Sequence, residues 1–576
     1  MPFQKFTDLS RNRLLTRAAL IGAATVRERS SRNTRLYLKN GVLGRALSLI
    51  TLSVTVLATL LVTLLVSQAA GQTTATFRST VDGSEQPYAL YVPKSLDPAR
   101  RYPLVLSLHE EESNHVANLK HVFGVPARYG ETALQTLSMM PRQRDVDFLV
   151  ACPFARGTMG YQGIAEQDVY DVLADVKRHY PVDDDRVYLT GASMGGGGAL
   201  WLALTRPDLW AAVVPVCPDP FPGTAELAPN ALNLPLRFFH GELDPAVAVE
   251  VSRQWQRRLL TLASPVEYVE FPGVRHNAWD FAYRNGAIFE WLANFRRNRD
   301  PDHVRFVSAD PRYRAAYWVR LDALTGNTLA SIDAVRTATG VRVLTQNLEA
   351  FTLTAAVKTL TVDGVPLHLK PGAPLSFART PKGWTQAAAP TPDLPLRGPA
   401  VEAVNGRHLY VYGTGDPEGR KDAEAAAAWS NSRVRINLTL PVKSDKDVTD
   451  QDLASLDLVL FGTAQTNTLI ARFAPRFALA LDPGAADYGL LFVAPIGKHL
   501  ALVSSGRPWW TGADDANRGG YRYAPPQYRL LSTFGDYILF KGSLAHVIAE
   551  GRFDANGKVP ADAALVLKAA GTVTVR

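Results

Sequence analysis

The sequence predicts an α/β protein: a mostly parallel sheet covered by helices, then a small β domain, then a second α/β domain. Three observations carry that expectation. Between about residues 75 and 296, apolar β-prone runs recur with helical stretches between most of them, the signature of βα units and a sheet buried on both faces. Over 304–385 the runs become short and alternate, with turns such as Asp363-Gly364 between some of them, which reads as a small β-sandwich. Over 397–576 strand and helix alternate again. A chain of 576 residues is also too long for one ordinary core, so two to four domains are expected.

Taken in order, residues 1–72 read as a basic leader plus a signal peptide or membrane anchor. Residues 1–45 hold ten Lys and Arg against Asp8 and Glu28, which is the entire formal excess of +8. The remainder is neutral, so a basic nucleic-acid footprint is not supported for the body, and no nucleic-acid partner is expected. Residues 46–77 carry no charge and end near Ser67-Gln68-Ala69-Ala70-Gly71. That is the order of a secretory signal with a small-residue cleavage site, although the apolar run is long enough to span a bilayer uncleaved. Either outcome places the body outside the cytoplasm. The basic region is long for a signal, which raises the alternative of a translation start near Val42.

In the first domain (75–296), strands are expected at 88–92, 103–108, 147–152, 186–190, 211–216, 236–240 and 266–271, with a helix over 166–180 whose Val169, Val172, Leu173 and Val176 share one face. Cys152 and Cys217 fall at the ends of strands separated by two others. Their Cα atoms would lie roughly 14 Å apart at about 4.8 Å per strand, whereas a disulfide requires less than about 7 Å. Two free, buried thiols are expected. No Cys/His spacing suggests a metal site, and neither metal nor cofactor is expected.

The chemistry centres on Gly191-Ala192-Ser193-Met194-Gly195 and the three glycines that follow. A β-prone run precedes it and a helical run follows. A strand–turn–helix with G-x-S-x-G lifts its serine out above the sheet edge, where the helix N-terminus favours negative charge. A serine nucleophile requires a base and an acid that orients the base. Catalytic groups should stand at the C-terminal ends of strands. Past the strand at 236–240 stands Asp244, taken as the acid, with Glu242 the alternative. Past the strand at 266–271 stands His276, taken as the base, while His240 reads as structural. Acyl transfer also requires two N–H donors for the oxyanion. Met194 supplies one. The second falls in the loop after 103–108, at Glu110 of His109-Glu110-Glu111-Glu112. The three glutamates read as a solvated loop. Trp279, beside the base, is a candidate substrate wall or packing beneath the loop.

The run from Val182 to Gly196, together with Pro207-Asp208-Leu209-Trp210, His240-Gly241-x-x-Asp244 and His276-Asn277-Ala278-Trp279-Asp280, resembles the polyhydroxybutyrate-depolymerase and feruloyl-esterase-like α/β-hydrolases. These are related to prolyl oligopeptidase-type (S9) catalytic domains. The resemblance covers about residues 80–296. It implies an exported serine hydrolase acting on small-molecule or polymer-linked esters through a Ser-His-Asp triad and an acyl-enzyme. An S9-like peptidase and a non-catalytic glycan-binding module on a hydrolase scaffold are the alternatives. The chain departs from the family where many members have His-Gly: here Glu110 follows His109. Oligomeric state is not legible. In the last domain, Gly413 to Gly419 misses dinucleotide-loop spacing and reads as a bent loop, and residues 564–576 read as a final strand.

Overall fold

A computed structural model describes residues 72–126, 131–138, 145–310, 312–325, 329–370, 372–388, 398–430, 436–514, 526–554 and 556–576. The basic leader and the apolar run to residue 71 lie outside the described residues. Among the described residues, no helix is long and apolar enough to cross a membrane.

The first sheet has eight strands: β1 (Gln72–Arg78), β2 (Glu85–Tyr91), β3 (Tyr102–Leu108), β4 (Leu149–Pro153), β5 (Val182–Ala192), β6 (Ala212–Val216), β7 (Leu236–Gly241) and β8 (Val266–Phe271), in the order β1-β2-β4-β3-β5-β6-β7-β8. From β4 to β8 every neighbouring pair is parallel, whereas β1 and β2 run antiparallel at one edge. The alternation of strands and helices produces this layout because each parallel crossover requires a covering helix. β3, β4 and β6 are buried along their whole lengths, as continuous apolar strands between two helical layers should be. The helices His115–Val122 and Ala287–Leu292 pack with one face of the sheet, and Ile164–His179 and Met194–Thr205 with the other. The strand order sets β3 and β5 between β4 and β6, and Cys152 and Cys217 are both free and buried. β1 has no counterpart in the strand pattern read from sequence, because its Thr-rich run adjoins the uncharged stretch of the leader.

The next region is a sandwich of two five-stranded sheets. In its core Phe351 stacks on Phe377 and meets Trp384 edge-on, with Ile332 and Trp318 in the same apolar cluster. It is tied to the first domain through Asn230, whose amide donates to Val307 O at 3.0 Å and accepts from Val307 N at 2.7 Å. The stretch 297–303 is tied to both the first domain and the sandwich. Arg297 and Arg299 both reach the Asp185 carboxylate, and Trp318 Nε1 donates to Pro301 O at 2.7 Å.

The C-terminal region contains a seven-stranded sheet, three of whose neighbouring pairs are parallel. It shares a continuous apolar core with the first domain. Leu106, Val172 and Trp210 belong to the same cluster as Trp429, Trp509 and Leu531. A short antiparallel bridge between Gly157 and Ile436 adds backbone contact, and Arg156 N–H groups and carbonyl bond to Asn437. In the loop after the strand His408–Tyr412, the Thr414 N–H donates to the Asp445 carboxylate at 2.9 Å. The last segment corrects the sequence reading. Ala561–Ala569 is a helix, entered through Pro560, and only Val573–Val575 is a strand. The alanine-rich run satisfies helix propensity, and its short apolar stretch does not separate the two periods.

Candidate active site

The turn between β5 and the helix Met194–Thr205 is as tight as its composition requires. Ser193 sits at φ 53° and ψ −117°, a strained backbone position for a residue with a side chain. Its N–H donates to Val216 O at 3.0 Å, and its carbonyl accepts from Gly197 N and Asp219 N. The strain is held by glycine. A Cβ on Gly195 would stand 2.2 Å from Leu108 O and 2.8 Å from His109 O, and one on Gly191 would stand 2.3 Å from Gly195 O. The end of β3 therefore lies directly against the start of the helix. Met194 opens that helix, so its N–H has no intrahelical acceptor.

The structure brings the three residues read as acid, base and nucleophile together. His276 Nε2 lies 2.9 Å from Ser193 Oγ, and His276 Nδ1 lies 2.7 Å from Asp244 Oδ2. With Nδ1–H donating to the carboxylate, Nε2 is the acceptor for the serine hydroxyl. The Asp244 side chain is fully buried and the His276 side chain one-quarter exposed. Asp244 Oδ1 accepts from the N–H groups of Ala246 (2.8 Å) and Val247 (3.0 Å). Burial alone would raise this carboxyl, but hydrogen bonds from His240, His276 and Val247 N–H outweigh it and hold the group well below the usual carboxylate range. Glu242, the alternative acid, is exposed and accepts from Gly273 N at 2.8 Å instead.

His240 is more than strand filling. Fully buried, it presents Nε2 to Asp244 Oδ2 at 3.2 Å and to Val247 O at 3.0 Å, while Nδ1 meets Ser252 Oγ at 2.7 Å. Sequence order alone ranked it structural because nothing in the motif tells that its ring turns toward the acid. Its place four residues before Asp244 was the available signal. Cys217 supports the base from behind: its thiol donates to His276 O at 3.3 Å.

Glu110 overturns the solvated-loop reading. Its side chain is 17% exposed and lies 3.4 Å from His121 Nδ1. Burial would raise the Glu110 carboxyl, but the charge of His121 and its hydrogen bond hold it down, at about 2. His121 is itself raised: burial lowers it, and Glu110 more than compensates. The neighbouring His109 ring faces Glu110 O at 2.7 Å and Phe154 O at 3.0 Å, and Tyr161 donates to His109 O at 3.0 Å. The acidic side chain is thus turned away from solvent and fixed, while Glu112, the last of the three, is exposed. Trp279 is half-buried, edge-on to His276 at 5.4 Å and stacked on His121 at 6.1 Å. It packs beneath the base loop and links it, through His121, to the helix His115–Val122.

Among the described residues, the one group of His, Cys, Asp and Glu atoms within 4.8 Å of one another is Cys217, Asp244 and His276. It does not suit a metal, because burial holds the Cys217 thiol well above its usual range and metal ligation takes a thiolate.

Residues 79–268 match the Esterase family ("Putative esterase"). This part of the chain, about a third of its length, has the α/β-hydrolase layout and is similar to esterases. The matched span contains Ser193 and Asp244, and His276 lies just beyond it. Among solved structures, the hydrolase domain is similar to a thermostable esterase, at 26% identity and a TM-score of 0.32, over 39% of this chain and 63% of that one. It is also similar to a ferulic acid esterase from Anaeromyces mucronatus, at 19% identity and a TM-score of 0.29, over 38% and 91%. An acylaminoacyl peptidase from Pyrococcus horikoshii matches at 15% identity and a TM-score of 0.31, over 41% and 43%.

Proposed function

We propose that the hydrolase domain cleaves carboxylic esters through an acyl-enzyme on Ser193. The observation that carries this reading is the unbroken hydrogen-bond chain from Ser193 Oγ through His276 to Asp244, at 2.9 and 2.7 Å. His276 Nε2 takes the serine proton as Oγ attacks the ester carbonyl, then returns it to the leaving alkoxide. Asp244 keeps Nδ1 protonated and stabilises the imidazolium. The Met194 N–H stabilises the oxyanion, and the Glu110 N–H is the second donor in this scheme. Water then repeats the attack on the acyl-enzyme with His276 again as base.

Two supports come from sequence alone. The basic leader and uncharged run argue for export, with anchoring through the apolar segment as the variant. The match to the Esterase family favours esters over peptides. The test is labelling with a fluorophosphonate probe and turnover of p-nitrophenyl acetate. Wild-type protein is expected to label, and Ser193→Ala to lose both labelling and at least about 10³-fold in kcat. Full turnover by Ser193→Ala would sink the mechanism, and dipeptidyl amides cleaved faster than acyl esters would move the substrate class to peptides.

A further inference from the structure

Both backbone groups of Ser193 are bonded to the turn that follows β6. Its N–H donates to Val216 O at 3.0 Å, and its carbonyl accepts from Asp219 N at 3.1 Å. Between these two anchors stand Cys217 and Pro218. The turn is pressed onto the start of the helix Met194–Thr205. A Cβ on Gly196 would stand 2.7 Å from Val216 O, and one on Gly197 would overlap Asp219 O. Two of the glycines that trail the G-x-S-x-G turn thus make room for this segment.

The stretch that carries the base is anchored to a different place. Leu243 N–H donates to Val274 O at 2.9 Å and Glu242 N–H to Phe271 O at 3.0 Å, while Gly273 N–H donates to the Glu242 carboxylate at 2.8 Å. A Cβ on Gly241 would overlap Arg275 O. These contacts fasten the loop of His276 to the loop of Asp244. They do not set how far the acid–base pair stands from Ser193, and proton transfer requires that gap to stay within hydrogen-bond reach.

Cys217 spans the two frames. It is fully buried, and its N–H donates to Phe239 O at 2.7 Å. Its φ is 35°, a left-handed backbone that costs a residue with a side chain and persists where the surroundings over-determine it. Its thiol donates to His276 O at 3.3 Å. The sulfur also lies within 4.8 Å of an Asp244 carboxylate oxygen and of a His276 ring nitrogen. Burial pushes this thiol well above its usual range, so it carries the proton it donates and brings no charge beside Asp244. A thiol is a weak donor, but this one ends on the backbone of the base itself.

We propose that Cys217 is a positioning residue: it ties the backbone of the base to the turn that holds the nucleophile, and so sets the reach from His276 Nε2 to Ser193 Oγ. The proposal rests on the ester-cleaving reading of Ser193, and the two fail in different ways. Full-length wild type, Cys217→Ala, Cys217→Ser and Cys152→Ala are titrated with a fluorophosphonate probe. Turnover of p-nitrophenyl acetate is then expressed per labelled site, so that misfolded molecules drop out. Cys217→Ala should lose about 10-fold in kcat with KM within about twofold of wild type. Cys217→Ser keeps a donor on a shorter bond and should recover part of that loss. Cys152 is the other buried thiol of the same apolar cluster, but it meets Ser107 and Asn118 rather than the triad. Cys152→Ala should keep the wild-type kcat per labelled site whatever its melting temperature. A wild-type kcat in Cys217→Ala overturns the proposal. So does a Cys217→Ser variant no faster than Cys217→Ala, or a Cys152→Ala variant that loses as much. Wild-type protein that takes up no probe overturns the reading of Ser193 itself, and the proposal with it.

Discussion

On one side of the site the chain turns through Ser193 on a backbone that is itself the device. The glycines bring the helix start against the end of β3, and the positive φ of Ser193 exposes its hydroxyl. On the other side, the loop after β3 has an ordinary backbone at Glu110 and is held by groups from elsewhere: the His121 ring on Glu110, the Phe154 carbonyl on the His109 ring, the Tyr161 hydroxyl on the His109 carbonyl. The first wall is specified within a few consecutive residues. The second is specified by residues up to about fifty positions away. Local backbone devices admit no substitution, whereas a loop held by side chains can be retuned one contact at a time.

The sharpest way to break that contrast is Gly195→Ala. Its Cβ meets backbone atoms that cannot rotate aside, so a loss of about 3 kcal/mol or more in stability, with most esterase activity, is expected from thermal melts and p-nitrophenyl acetate turnover. A variant of wild-type stability would mean the wall is softer than described. Next in size is His240→Asn, which removes a donor to Asp244 while leaving the triad intact. A drop of about 10- to 100-fold in kcat with little change in KM is expected, the scale of a slightly misplaced catalytic group. An unchanged kcat would return His240 to a purely structural place.

The smallest effect belongs to the side-chain-held loop. Glu110→Gln should cost about 1–3 kcal/mol and turn its contribution to stability flat with pH. In the wild type the sign follows from the two partners. The Glu110 carboxyl, depressed to about 2 from 4.5, contributes fully above 4.5 and loses its contribution as pH falls toward 2. The His121 imidazole, raised above 6.5, contributes fully below 6.5 and loses its contribution as pH climbs through its raised value. The pair is thus strongest between about pH 4.5 and 6.5 and weakens above that window. Melting temperatures of wild type and Glu110→Gln should converge on the alkaline side; a constant gap would assign the loop to other contacts.

The same contrast explains what was legible beforehand. Ser193, Asp244 and His276 could be read because each follows a recognisable strand and their order along the chain is itself informative. The Glu110–His121 pair could not, since eleven positions of loop and helix separate the partners and no motif joins them. The acid-facing turn of His240 was hidden for a different reason: ring direction follows from Ser252 and Val247, which arrive later in the chain. The C-terminal helix was misread because a short alanine- and leucine-rich run fits either period, and burial at Leu567 alone decides little. The glutamate run shows the commonest failure. Consecutive charges suggest solvent, yet one member can be folded inward when a partner waits there.

The apolar cluster that joins Leu106 and Val172 to Trp429, Trp509 and Leu531 has a consequence for how the chain tolerates change. Although its strands form separate sheets, the hydrolase region and the C-terminal region cannot be inherited, trimmed or exchanged as independent cassettes. Cutting between them would bare two oily faces at once. A lesion at Trp509, far along the chain from Ser193, would then register as loss of the hydrolase rather than loss of an accessory part.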